Sequence, residues 1–219
     1  MAFNNEIRIL IADEHPLVRQ GIVAIISAQT DMDVVAETSK SDETVRYFAH
    51  YQPDLLLMEL ALPTVGSGVK AITAILAESP DARIAVLSRH EGIGAILIAL
   101  TAGVKTYMFR TMDTSEVLEE IRLVHAGTPR LHPKVLANIN SVPREDRLTH
   151  PECEILMMMD EGLSTKEIAK RLAPYIEEAT VNMHVAQIFN KLQVDNYIGA
   201  LRRGINGWTL CTTPARSGH

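Results

Sequence analysis

The feature that most constrains the fold is an alternation of short apolar runs with helix-period segments over the first 126 residues. The runs lie at 7–12 (IRILIA), 33–36 (DVVA), 55–60 (LLLMEL), 82–88 (ARIAVLS) and 106–109 (TYMF). Between them stand segments at 17–28, 42–50, 69–77, 93–102 and 114–126, in which apolar side chains recur at helical spacing. In the first segment Leu17, Val18, Gly21, Ile22, Ile25 and Ile26 form the stripe, with Arg19 and Gln20 off it. Asp113 followed by Glu116 has the spacing of a capping box at a helix start. Five βα units in series predict a doubly wound, five-stranded parallel sheet with helices on both faces, an α/β fold. Such sheets gather ligands at the carboxyl ends of their strands.

The pattern changes after Gly127. Breakers in 127–133 (GTPRLHP) and at Pro143 mark a linker with room for one helix. From Leu148 no strand signal is present, and Thr149-x-x-Glu152 and Ser164-x-x-Glu167 each open an apolar-periodic stretch as a capping box. Helices are predicted at about 150–161, 165–173, 179–192 and 196–206, a small all-α domain. The resulting division is 1–126, a linker at 127–147, a helical domain at 148–206, and a loose tail at 207–219.

Bulk properties narrow the class. No apolar run approaches the roughly 20 residues that span a bilayer, which argues against a membrane protein. The charged residues around 6–14 do not suit a signal peptide. Two cysteines, Cys153 and Cys211, are too few for a disulfide framework and suit packed or surface thiols in a reducing compartment, so a cytoplasmic location is expected.

The predicted strand ends bring Asp13 and Glu14, Glu59, Ser88 and Arg110 to one edge of the sheet. Acidic oxygens from two strand ends suit a hard divalent cation, and a hydroxyl with a cation opposite suits a phosphoryl group. Here the chain resembles the response-regulator receiver family, through IRILIADEHPLVRQG, PDLLLMELALP, AVLSRH and AGVKTYMFR. The resemblance implies an acidic pair (Asp13, Glu14) for magnesium, an acceptor at Glu59, a sensing hydroxyl at Ser88, a clamp at Arg110, and the Ala61 carbonyl as a further metal ligand. Magnesium is therefore a possible cofactor and none is required.

Three departures stand out. The acceptor position holds Glu59 where the family has Asp, the clamp position holds Arg110 where it has Lys, and the loop TVGSG after Pro63 is about one residue out of pattern. A glutamate carries a permanent charge toward the phosphoryl position, with less charge and fewer acceptor oxygens than phosphate. An arginine can grip a carboxylate with a planar fork. A Glu59–Arg110 ion pair standing in for phosphorylation is one reading, an inert receiver kept as a dimerisation scaffold is another, and a glutamate introduced by substitution is a third.

The second domain resembles the LuxR/NarL-type helix-turn-helix across about 148–206, through LTHPECEIL, EGLSTKEIAKRL and ATVNMHVAQIFNKLQV. The resemblance implies a recognition helix starting at Thr180-Val181 that lies in the major groove. Thr180, Lys191 and Lys166 are the expected phosphate contacts, Asn182, Met183 and Ala186 face bases, and His184, within the same DNA-binding set, supports the backbone contact or packs, packing being favoured. Asn182 stands where a lysine is usual, and APYIEEA is about two residues longer than usual and adds Glu177 and Glu178. From Pro143 onward nine Lys and Arg face ten Asp and Glu, a net −1, which predicts weak DNA binding or a need for a dimer. The expected function is a DNA-binding transcription regulator independent of phosphorylation, acting as a homodimer, with a partner protein or small ligand possible at the receiver. The alternative is a regulator working through protein contacts. No pairing of nucleophile and base points to an enzyme.

Overall fold

The computed structural model describes residues 6–140, 148–172, 176–192, 196, 199–200 and 211–212. The chain divides into two compact units, 1–89 with 102–133, and 90–101 with 134–219.

The first unit holds the sheet. Strands β1 (Ile7–Ala12), β2 (Met32–Thr38), β3 (Leu55–Met58), β4 (Ile84–Ser88) and β5 (Thr106–Phe109) run in the order β2-β1-β3-β4-β5. Every neighbouring pair is parallel. Parallel sheets are covered on both faces, and the central strands β3 and β4 and the edge strand β5 are buried at every residue. The opposite edge strand, β2, is only partly covered, with Met32 and Thr38 buried at its two ends.

The helices follow from local chemistry. Helix α1 (Pro16–Ser27) starts on a proline, whose fixed φ and missing N–H suit the first turn. Helix α2 (Ser41–Tyr51) ends at Gln52 in the left-handed region, φ 47°. Helix α3 (Val65–Glu78) opens on a capping box, Thr64 Oγ1 accepting from Ser67 N and Ser67 Oγ accepting from Thr64 N, both at 3.1 Å. Helix α5 (Thr114–His125) begins as expected, with Glu116 accepting from Asp113 N at 3.0 Å. Helix α4 (Ile93–Ala102), between β4 and β5 in the chain, is almost wholly apolar and buries Ala95, Ile96, Ile98 and Ala99; all but its last residue group with the second unit.

The second unit continues with α6 (Pro133–Asn140), the single helix anticipated in the linker. Helices α7 (His150–Asp160), α8 (Thr165–Leu172) and α9 (Glu178–Leu192) follow within a residue or so of the expected limits. Both predicted capping boxes form: Thr149 N donates to Glu152 at 2.5 Å, and Ser164 N donates to Glu167 at 2.8 Å. Gly162, φ 83°, closes α7 with a bond from Leu163 N to Met158 O at 3.1 Å, a left-handed cap that favours glycine. Leu156, Met159, Ile168, Val181, Ile188 and Leu192 form the buried apolar set of these helices.

Two expectations need correction. Strands β6 (Leu148–Thr149) and β7 (Cys211–Thr212) pair in parallel, so the helical region does carry a short sheet, and the tail is structured at 211–212. Two-residue strands are too short to leave a periodic signal in sequence. Cys153 is disulfide-bonded and no free cysteine is present among the described residues, whereas packed or surface thiols were expected. The register Leu148↔Cys211 brings the chain's other cysteine alongside β6, five residues before Cys153. The last predicted helix, 196–206, and the tail apart from 211–212 lie almost entirely outside the described residues.

Candidate receiver pocket and nucleic-acid interface

The pocket is assembled by backbone hydrogen bonds one residue beyond the strands. Asp13 N donates to Thr38 O at 3.0 Å, Glu59 N to Ala12 O at 2.8 Å, and Arg110 N to Ser88 O at 3.0 Å. Asp13, Glu59, Ser88 and Arg110 therefore converge at the carboxyl end of the sheet, where α/β folds place their ligands. Asp13 and Glu59 are each 1% exposed and Ser88 is fully buried.

Glu59 is held from four directions. Oε1 accepts from Ser88 Oγ at 2.5 Å and from Ala61 N at 3.3 Å. Oε2 pairs with Arg110 Nη2 at 2.8 Å and accepts from Arg89 N at 3.2 Å. Arg110 Nη2 also bonds Asp13 Oδ2, while Asp13 Oδ1 accepts from His15 N at 2.8 Å. One guanidinium thus bridges two buried carboxylates, which would otherwise repel each other and carry a large desolvation cost. Arg110 Nε is buried without a hydrogen-bond partner.

This arrangement does not fit an open magnesium site. Asp13 and Glu59 direct oxygens onto Arg110, Ala61 contributes its N–H to Glu59, and Glu14, 27% exposed, lies 3.8 Å from His15 Nε2. Among the described residues no group of three or more His, Cys, Asp and Glu is disposed to hold a metal. The Asp13–Arg110 bond, the His15 and Arg89 amides, and Arg19, whose Nη1 donates to Asp13 O at 2.8 Å, were missed from sequence. Only the Lys-to-Arg departure hinted at them, since a longer fork can reach a second carboxylate.

Beside the pocket, α1 and α5 flank an apolar groove of about 310 Å³ lined by Val18, Ile22, Ile25, Leu118 and Ile121, with Arg110 at its wall.

In the second unit, α9 buries Val181, Ile188 and Leu192 and exposes Asn182, Met183, Ala186 and Gln187. Met183 is 52% exposed. Thr180 is half-buried, and His184 is half-buried with Nδ1 lacking a partner. Lys166 is exposed at the start of α8. Lys191 is engaged: its Nζ lies 2.7 Å from Glu152, which is 2% exposed and also caps α7. Gln187, on the exposed face, was not singled out from sequence.

Residues 9–122 match the response regulator receiver domain family, and residues 146–203 match the bacterial regulatory proteins of the luxR family. The chain is a LuxR-family response regulator. It is 31% identical to the transcriptional regulatory protein DegU of Brevibacillus brevis over 228 residues, covering 93% of this chain and 95% of that protein. It is 33% identical to LiaR of Bacillus subtilis (strain 168) over 199 residues, covering 87% and 92%. Among solved structures, it resembles a LuxR-family two-component response regulator from Aurantimonas sp. SI85-9A1, with TM-score 0.58, 31% identity, and coverage of 62% of this chain and 96% of that one. RcsB from Salmonella enterica serovar Typhimurium, solved bound to the promoter rprA with the phosphomimetic BeF3−, shares the fold at TM-score 0.72 and 23% identity, covering 90% and 98%. Membership identifies the LuxR-family chain as a transcription regulator rather than an enzyme. No helix among the described residues is long and apolar enough to cross a membrane.

Proposed function

We propose that this regulator binds DNA through α9 and does so independently of phosphorylation, with the Glu59–Arg110 ion pair standing in for a phosphoryl group. The observation that carries the proposal is the engagement of Glu59 by Ser88 Oγ at 2.5 Å and Arg110 at 2.8 Å. Those are the hydroxyl and the cation that the family resemblance assigns to sensing and clamping a phosphoryl group. A carboxylate that already occupies both leaves neither to respond to phosphoryl transfer. It also lacks the short aspartyl side chain expected at the acceptor position.

Magnesium is not needed in this reading, because the Arg110 guanidinium supplies the positive charge between Asp13 and Glu59. The protein acts as a homodimer, a state in which two copies of α9 reach paired half-sites. Solved RcsB dimers bound to DNA support this expectation by fold alone. Lys166 and Thr180 contact phosphates, Asn182, Met183 and Ala186 face bases, and His184 packs beneath them. Lys191 holds Glu152 and is only secondarily a phosphate contact. The proposed functional division is a receiver at 1–126, a linker at 127–147, a helix-turn-helix at 148–206 and a tail at 207–219.

Incubation with a small-molecule phosphodonor and magnesium, followed by intact mass measurement, tests the proposal. The expected result is an unmodified chain. A stable phosphoryl adduct at residue 59 would overturn it.

A further inference from the structure

The exposed face of α9 carries no charge between Asn182 and Gln187. Asn182, Met183, Ala186 and Gln187 stand at i, i+1, i+4 and i+5, which a helix places on one side, while Val181, Ile188 and Leu192 fix the opposite side in the core. Between Asn182 and Gln187 the face is therefore two amides and two apolar side chains, and the exposed Asn190 continues it one turn on.

The major groove distinguishes base pairs by donor, acceptor and methyl pattern. Guanine is read most often by an arginine or lysine reaching O6 and N7, and this stretch has neither. Of the cations on α8 and α9, Lys191 pairs with Glu152 at 2.7 Å and Arg171 with Glu161 at 2.8 Å, while the exposed Lys166 is assigned to phosphate. Asparagine and glutamine amides match adenine N6 and N7 in a bidentate pair, and apolar side chains match the thymine methyl. Glu178, one turn before Asn182, is exposed and repels phosphates, which keeps the helix start at the margin of the site.

We infer that the recognition face reads an A·T half-site, with Asn182 and Gln187 bonding adenines, Met183 and Ala186 packing on thymine methyls, and no guanine contact in the core of the site. The inference rests on the reading of α9 as the DNA-binding helix. It adds Gln187 as a specificity-determining residue. With few phosphate contacts available, discrimination depends on base edges and on the methyl groups more than on backbone charge.

The test is a low-salt selection by the purified full-length chain from a random duplex library, followed by base analogues in the selected site. The expected core is A·T, with affinity falling about tenfold when 7-deazaadenine replaces the contacted adenine, as loss of a bidentate contact requires. Uracil in place of the thymine that Met183 packs on weakens binding severalfold in the wild type and not in Met183→Ala. Gln187→Ala relaxes the preference at one position and leaves the others. A guanine-containing core, or indifference to both analogues, overturns the inference while leaving DNA binding intact. No enrichment of any sequence overturns the DNA-binding reading itself and the inference with it.

Discussion

Arg110 and Glu59 meet at 2.8 Å at the carboxyl end of the sheet, in a pocket where Glu59 is almost inaccessible to solvent. The same Arg110 nitrogen holds Asp13, so one cation satisfies two carboxylates from different strands. Removing it strands both. Arg110→Ala is expected to lower stability by about 3–5 kcal/mol, the usual penalty for leaving a buried charge unpaired. Arg110→Ala with Glu59→Gln should recover part of that loss, because one charge no longer needs a partner. Urea unfolding of the single and double variants measures the coupling.

Lys191 and Lys166 separate structure from recognition. Lys191 neutralises the buried Glu152, so Lys191→Ala is expected to destabilise the helical domain by about 3 kcal/mol. Lys166 is exposed, so Lys166→Ala should leave the unfolding midpoint unchanged and reduce the salt dependence of DNA binding by about one unit of slope. Thermal unfolding beside salt titrations of DNA affinity distinguishes the two.

Gly68 lies where α3 presses on the strand end that carries Glu59. A Cβ there would collide with the Leu60 carbonyl, a backbone atom that cannot swing aside. Gly68→Ala is expected to destabilise the receiver by about 1–3 kcal/mol through overpacking, and more if the Glu59 loop is displaced. Gly21→Ala, which meets nothing within 4 Å, is the control and should be tolerated or mildly stabilising. Denaturant midpoints for the pair check this.

Acid should weaken the receiver through Asp31. Arg122 hydrogen-bonds Asp31 through Nε at 2.7 Å and Nη2 at 2.9 Å, which holds the Asp31 carboxyl below its usual value of 3.8. A carboxyl with a depressed folded-state pKa contributes stability above its unfolded pKa and loses it as pH falls through the folded one. Asp31 is 43% exposed, so solvent screening limits the pair to about 1 kcal/mol or less. Asp31→Asn is expected to lower the neutral-pH midpoint slightly and to make the loss of stability below about pH 4 shallower. Unfolding curves at neutral pH and near pH 3 show both effects.

The sheet was legible because β3, β4 and β5 are buried on both faces and so read as unbroken apolar runs, and the helices because Asp113, Thr149 and Ser164 announce their starts three residues before a glutamate. The Glu59–Arg110 pair was foreseen from two simultaneous departures at strand ends. Three features were not. The second grip of Arg110 on Asp13 depends on a side-chain path that spacing does not encode. The Lys191–Glu152 pair joins residues 39 apart on different helices. Strand β7 pairs with β6 over only two residues, below any periodic signal, and with it the disulfide state of Cys153 escaped notice.

The most direct measurement of the central claim is DNA affinity, by fluorescence anisotropy on a selected duplex, for wild type and Glu59→Ala, each with and without a phosphodonor and magnesium. A glutamate that substitutes for phosphorylation predicts wild-type affinity indifferent to the donor and a drop of about tenfold in Glu59→Ala, equivalent to about 1.4 kcal/mol of lost coupling. Wild-type affinity that rises on donor treatment, or a Glu59→Ala variant that binds as tightly as wild type, would contradict the account.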